Sequence, residues 1–526
     1  MLQLSHSRDL SNLLTGTLHN DGTVTLRDMV LRISDGGSLT GTGRTEVLEG
    51  TELTFDRSVI LPGTLRIDED KPPDSFGPLP GTVRVKGSVS VGQLEWGSGK
   101  LEVDGPVTVN GLAHLHHGVS RPDGVYEKTL LSDFHFNGGA VWAGDADLDG
   151  PGRIHLAAGT VFVDQTARGV PGADSTTERP IRLAVVAFHN HGTYLKTGRA
   201  LSVVESSFEN RGTVRTRGAG MLRFTGALDN RGSLEAVGAR LEVQGPLAQW
   251  SSFHQRLRGG RYLMKNRVMA LNLGVQEDGS PRQVLDNGGE LVLDGPQARL
   301  VNIASGRDTD ALAQLRDNSG RLRLLGGARL VLPGDLTNAG LLEIGAGSTL
   351  TLPGWYWQSS RDAATWLGGT LGSQHYEITG GRFGAGLEGE VGQARLLGGD
   401  VHLDVNSVFE IDVVSPELLD TISAASTFLL HGELWVDFAT PAPQLGSYRI
   451  VTAPFVGGYI TALGSNLDPA RYRVEAILAE THLDLRVTAV PEPQGWALLT
   501  AGLAALLYRR QRQAGTAATG ATRANP

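Results

Sequence analysis

The chain has 526 residues, 71 of them glycine and none cysteine, with 40% hydrophobic and 20% charged residues. Glycine at about twice its usual share excludes a mainly helical protein, and the hydrophobic content excludes a disordered one. The absence of cysteine removes disulfides, zinc–thiolate centres, iron–sulfur clusters and any cysteine nucleophile, and a net charge of −9 argues against nucleic acid as a partner, because phosphate binding needs clustered Lys and Arg.

Met1-Leu2-Gln3-Leu4-Ser5-His6-Ser7-Arg8-Asp9 lacks the basic-then-apolar order of a secretory signal, and repeat-like sequence starts by Thr15 without a recognisable cap. The expectation is a true start upstream or a truncated paralogue. Asn20-Asp21-Gly22-Thr23 is the first copy of an Asn-x-Gly element. A longer pattern follows, in which Leu39-Thr40-Gly41-Thr42-Gly43, Trp96-Gly97-Ser98-Gly99 and Leu148-Asp149-Gly150-Pro151-Gly152 each lead through an alternating run to a further glycine. The polar stretches 68–80, with Pro72-Pro73, and 167–180 are predicted loops that leave the repeats at corners.

Asp145-Ala146-Asp147-Leu148-Asp149-Gly150 matches the first half of a calcium loop, where alternate carboxylates point at one hard cation. Its twelfth position is Leu156 instead of the bidentate Glu, so Asp145, Asp147 and Asp149 are weak calcium candidates beside the plain reading of a glycine corner with solvated carboxylates. No other cofactor is expected. His114 with His116, and His189 with His191, each place two imidazoles on one strand face without an evident third ligand, and surface histidine is the preferred reading.

Asn190-His191-Gly192-Thr193, Asn210-Arg211-Gly212-Thr213 and Asn230-Arg231-Gly232-Ser233 recur every 20 residues, and Asn318-Ser319-Gly320 and Asn338-Ala339-Gly340 repeat that spacing. After each comes an alternating run such as Val214-Arg215-Thr216, a corner at Gly218 or Gly238, then a second run such as Leu222-Arg223-Phe224. Alternation puts one side of each strand inside and the other outside. The period matches one coil of a right-handed parallel β-helix, assigned to residues 1–399, with corner glycines at φ > 0 and corner asparagines hydrogen-bonded along the stack. About 15 coils would make a rod on the order of 70 Å. Only stretches such as 309–316 suit a helix.

From about Asp400 the pattern changes: 401–405, 408–413, 429–438, 447–452 and 482–487 are predicted strands joined by turns with Pro441, Pro443 and Pro469. Residues 400–489 are therefore expected to form a small C-terminal β module or a cap, completing an all-β fold. Polysaccharide lyases and hydrolases on β-helices set carboxylates on one strand face, for which Asp404, Glu410 and Asp412 are the candidates. Any carboxylate-rich solenoid would show this, so no enzyme activity is expected. Gly99-Lys100 lacks the remainder of a phosphate loop, and no Gly-x-Ser-x-Gly elbow occurs.

The end of the chain runs Val490-Pro491-Glu492-Pro493, an apolar stretch from Gly495 to Tyr508, then Arg509-Arg510-Gln511-Arg512. Trp496, Leu498, Leu499, Leu503, Leu506, Leu507 and Tyr508 would form a single membrane-spanning helix, although about 17–25 residues are the usual requirement. Arg509, Arg510 and Arg512 would stay cytoplasmic by the positive-inside bias, and 513–526 is an Ala/Thr/Gly-rich tail expected to be disordered. At these residues the chain resembles the PEP-CTERM family of exported bacterial surface proteins, with repeats similar to autotransporter-like β-helices. The resemblance implies sorting by an exosortase, a membrane-embedded protease, through 490–512, passage by the inner membrane, and delivery to the cell surface or extracellular polysaccharide. The resulting expectation is a surface structural or adhesive solenoid. The alternatives are a carbohydrate-active β-helix enzyme, which would gather carboxylates in a cleft, and an ice- or crystal-surface binder, which would show a threonine ladder.

Overall fold

A computed structural model describes residues 2–5, 11–68, 81–116, 119–120, 126–167, 180–490 and 495–517. Most of each expected loop, 69–80 and 168–179, lies outside them. The chain is nearly all β, built from large parallel sheets in a β-helix-like stack, and one helix is present among the described residues. Most strands among the described residues pair in parallel with their equivalent one coil later. One inward column runs unbroken through Val24, Thr45, Leu65, Leu94, Ala113, Ala140, Phe162, Tyr194, Val214, Leu234, Tyr262, Leu291, Leu322, Leu342, Thr365, Phe383, Phe409, Leu434 and Leu463. These stations imply a stack roughly 85 Å long at about 4.8 Å per coil, longer than the expected rod. Coils outside the Asn-x-Gly repeats are simply more numerous than the glycine blocks suggested.

The inside is a single apolar column in which like residues meet. Phe188 stacks on Phe208 with ring centroids 4.9 Å apart, and Phe162 on Tyr194 at 5.3 Å. At the corners the asparagines form the expected ladder. Asn190 Nδ2 donates to Asn210 Oδ1 and Asn210 Nδ2 to Asn230 Oδ1, each at 2.8 Å, and the chain of bonds resumes from Asn287 to Asn318 to Asn338, again at 2.8 Å. Each rung also donates to a carbonyl of the next coil, as Asn210 does to Ser233 at 3.1 Å. All of these side chains are fully buried.

Gly41, Gly50, Gly150 and Gly159 of the longer pattern have the expected positive φ, but the glycines of the Asn-x-Gly element are needed for a different reason. Gly192, Gly212, Gly232, Gly320 and Gly340 do not have positive φ. A Cβ on Gly212 would sit 1.9 Å from the Gly192 carbonyl oxygen, and one on Gly340 would sit 2.0 Å from that of Gly320. It is the close approach of successive coils, not a left-handed turn, that excludes a side chain. Gly347 is the opposite case, with φ of +74° and nothing within 4 Å.

Among the described residues, one ion pair has both side chains fully buried inside the stack. Lys196 Nζ donates to Asp164 Oδ1 at 3.1 Å and to Thr166 Oγ1 at 2.8 Å, while the Tyr194 hydroxyl donates to Asp164 Oδ2 at 2.8 Å. Burial lowers the Lys196 pKa, with Asp164 opposing, and raises that of Tyr194 well above its ordinary value.

The parallel stack does not break at 399/400. Val401–Leu403 pairs with His375–Ile378 behind it and Thr427–Leu430 ahead, and Ser407–Ser415 pairs with Gly381–Ala385 and Glu433–Phe438. Gly446–Thr452 still pairs in parallel with Thr421–Ala424 on one side but joins His482–Ala489, and through it Tyr472–Ala479, in antiparallel order on the other, while Phe455–Gly458 and Ala462–Ser465 stay parallel. Residues 309–316 form the short strand Thr309–Asp310 and turns instead of a helix.

The helix is Gly495–Ala517. No helix among the described residues is long and apolar enough to cross a membrane, which corrects the transmembrane expectation. Fourteen apolar or small residues rise only about 21 Å against a hydrocarbon core of about 30 Å, and the arginines follow within the same helix. Residues 513–517 belong to this helix and not to a disordered tail; 518–526 lie outside the described residues.

Two glycine substitutions separate the two roles. Gly212→Ala should destabilise by about 3 kcal/mol through overpacking against the neighbouring coil, while Gly347→Ala should cost about 1 kcal/mol of backbone strain, as read from chemical denaturation midpoints. Asn210→Ala should cost about 3 kcal/mol in the same assay, because it strands the Asn190 amide and the Asn230 carbonyl oxygen in the interior.

Candidate functional site

Stacking turns outward positions into long rows, and three kinds of row differ in chemistry. The first is ionic. Glu235 binds Arg215 at 2.5 Å and Arg261 at 2.9 Å; Arg261 also reaches Glu290 at 3.2 Å, and Arg323 binds Glu343. Its charges are consumed between coils. The adjacent row from Thr193 and Thr213 continues as Ser233, Arg261, Glu290 and Arg321, so no run of threonines extends along it.

The second row is imidazole. His135, His155 and His189 occupy equivalent positions, with ring centroids 4.5 and 4.7 Å apart. His189 Nδ1 lies 3.0 Å from Glu209 Oε2, and Arg211 binds the other oxygen at 2.7 Å. Burial holds the His155 pKa below the usual imidazole range, and the two neighbouring rings push it the same way.

The third row is aromatic and lies outward on Trp355–Gln358, His375–Ile378, Val401–Leu403, Thr427–Leu430 and Phe455–Gly458. Register aligns Trp357 with Glu377, His402, Leu429 and Gly457 in one column, and Trp355 with His375 beside it. Trp355 stacks on Trp357 at 5.0 Å and meets His375 at 4.5 Å. Glu377 holds His375 at 3.0 Å and His402 at 3.4 Å, His402 Nε2 lies 3.1 Å from His431 Nδ1, and His431 packs on Tyr459 at 4.9 Å. The Phe455 ring lies across Gly457, where a Cβ would come within 2.8 Å of it. Five aromatic side chains stand exposed among the described residues, and three of them, Trp355, Phe455 and Tyr459, belong to this row.

A depression of about 590 Å³ lined by Asp317, Asp335 and Thr337 adjoins the tryptophans, and Asp335 Oδ1 accepts the Trp355 backbone N–H at 2.7 Å. The sequence motifs did not single this row out. Trp355-Tyr356-Trp357 was the available signal, an alternation with tryptophan on the outer side.

Of the sequence candidates, Glu410 and Asp412 do share an outer face, with Asp437 directly opposite Asp412 and Trp435 opposite Glu410. Asp404 stands apart in a turn, where its carboxylate accepts the Val405 N–H at 2.7 Å. Burial, then Asp437 and Glu410, pushes Asp412 up to about 6. Burial pushes Asp420, whose oxygens accept the N–H groups of Gly392 and Asp412, up to about 7. Arg382 binds Glu410 at 2.7 Å.

The Asp147 carboxylate accepts the Arg182 N–H at 2.8 Å, and no group of three or more His, Asp or Glu among the described residues is arranged to hold a metal ion. His116 lies 3.8 Å from Asp68, and His191 is exposed. Pro491, Glu492 and Pro493 lie outside the described residues, as do the side chains of Trp496, Leu498 and Leu499. Leu503, Leu506, Leu507 and Tyr508 are exposed on the helix, and the Arg512 guanidinium sits 5.6 Å from the Tyr508 ring centre. No family model matches the chain, and no curated protein matches it.

The raised carboxylates set a pH dependence. Asp412 and Asp420 hold protons more tightly folded than unfolded, so their contribution to stability is complete below the ordinary carboxylate range and is lost as pH rises through about 6 to 7. Asp412→Asn should therefore stabilise the protein by about 1 kcal/mol at pH 8 and by nothing at pH 4, measured by denaturation at both values.

Proposed function

We propose that the chain is an exported surface protein whose coil stack is structural and adhesive, delivered through its C-terminal sorting signal. The observation that carries the reading is the unbroken column from Val24 to Leu463, because a stack in which every coil is hydrogen-bonded to the next is a stiff rod in which no coil stands alone. The charged rows tie coils together, and the aromatic row leaves one face free to touch another surface. We take the coils as right-handed, following the rule for parallel crossovers, and the antiparallel strands of 446–489 as the cap that closes the last edge.

In this reading Pro491-Glu492-Pro493, the short helix and Arg509, Arg510 and Arg512 form a detachable tail for an exosortase-type protease. The apolar run engages the inner membrane from its surface, with the arginines held by anionic lipid. A second reading, a carbohydrate-active enzyme, draws on the row of Glu410, Asp412 and Asp437. Release of reducing sugar that is abolished by Asp412→Asn would favour it.

The sorting reading is tested in a bacterium with an exosortase, with a secretory leader fused ahead of Met1. Surface exposure, read by protease shaving, should be high for the full chain. It should fall to the level of a chain lacking 490–526 when Arg509, Arg510 and Arg512 are all changed to Gln. Equal exposure of all three proteins would overturn the reading.

A further inference from the structure

We infer that the aromatic row is a binding site for an uncharged hexopyranose polymer lying along the axis of the stack. The assignment rests on the adhesive reading above and names what that surface takes. Its five coils extend roughly 19 Å, and a pyranose unit in an extended chain advances by about the same distance as one coil. Sugar rings carry a face of C–H bonds that packs on the electron-rich face of an indole or phenol. Trp355 is 41% exposed at one end of the row and Tyr459 58% at the other, so platforms stand at both ends of a path several sugars long.

Between the platforms the row carries what hydroxyl groups need. Glu377 is a paired acceptor fixed by His375 and His402, and the indole N–H groups of Trp355 and Trp357 donate no hydrogen bond to any described residue. The Phe455 ring lies close over Gly457, in space that a Cβ there would occupy.

Charge selects the class of polymer. Asp317 and Asp335 outnumber Arg316 among the charged residues lining the adjoining depression, Glu377 stands in the row itself, and the whole chain is at −9. A uronate chain would meet repulsion along its length.

The test is affinity electrophoresis of the full chain in gels containing hydroxyethyl cellulose, laminarin, galactomannan or dextran, with polygalacturonate as the anionic probe. At least one neutral polymer should retard the protein. Trp355→Ala with Trp357→Ala should weaken that retardation about tenfold, the loss of one or two stacking contacts. Phe253→Ala, which removes an aromatic exposed elsewhere, should leave it unchanged, and matched thermal transitions would show that the variants fold. The inference is overturned if no neutral polymer retards the protein, if the double variant is retarded like the parent, or if polygalacturonate retards it more strongly. Retardation by a protein that never reaches the surface would leave this site standing and remove the sorting reading instead.

Discussion

The parallel backbone ladder between coils, with its spacing of about 4.8 Å, is the constraint on which everything else depends. Because strands pair in register, each residue lies directly over its equivalent, and a side chain is tolerated only if it can stack on the one before it. Asparagine can, because it carries a donor at one atom and an acceptor at another, so Asn190 donates to Asn210 and Asn210 to Asn230 where water is excluded, and only the Asn190 oxygen at the head of this run accepts nothing from the described residues. Phenylalanine can, as Phe188 does on Phe208. A charge is held most easily by an opposite charge within reach, as Glu235 is by Arg215 directly before it and by Arg261 diagonally on the next coil. Asp412 over Asp437 instead puts like charges together and raises the Asp412 pKa. At the corners the carbonyl of one coil occupies the space that a Cβ of the next would fill, and glycine is the one residue that fits.

The same constraint explains what was legible in the sequence. Where coils have equal length, equivalent residues recur at a fixed interval, and the 20-residue Asn-x-Gly period exposes the fold and the asparagine ladder together. The role of Gly212 was not legible, since a glycine needed for space and one needed for φ leave the same letter. The aromatic row was hidden for another reason. Trp357 lies over Glu377, His402, Leu429 and Gly457, and the intervals between them are unequal because the turns grow while the strands stay aligned. The change of sequence pattern near Asp400 has that same origin. Longer turns bring prolines and polar residues, yet Ser407–Ser415 continues the stack from Gly381–Ala385.

Buried charge shows how the stack treats residues that cannot repeat. Lys196 lies in the interior directly over Asp164 and beside Thr166 and Tyr194, so each charged atom has partners where water is excluded. The tail helix is governed by different physics. Its composition would suit a membrane span, but length decides the matter, and an apolar run of about 21 Å ended by arginines is too short to hold both ends at an interface.

An exposed aromatic row then has a specific meaning in such a molecule. Single stacking contacts with a flexible ligand are weak, and a globular site compensates by enclosing the ligand. A stack of coils cannot enclose anything, but it can hold several weak stations rigidly in line at the spacing of its own backbone. Binding then costs little ordering on the protein side, and each further station engaged acts at the high effective concentration set by the ones already bound. The ladder that excludes a side chain at Gly212 thus also holds Trp355, His375 and Tyr459 in place, so in the proposed reading stability and recognition come from one source.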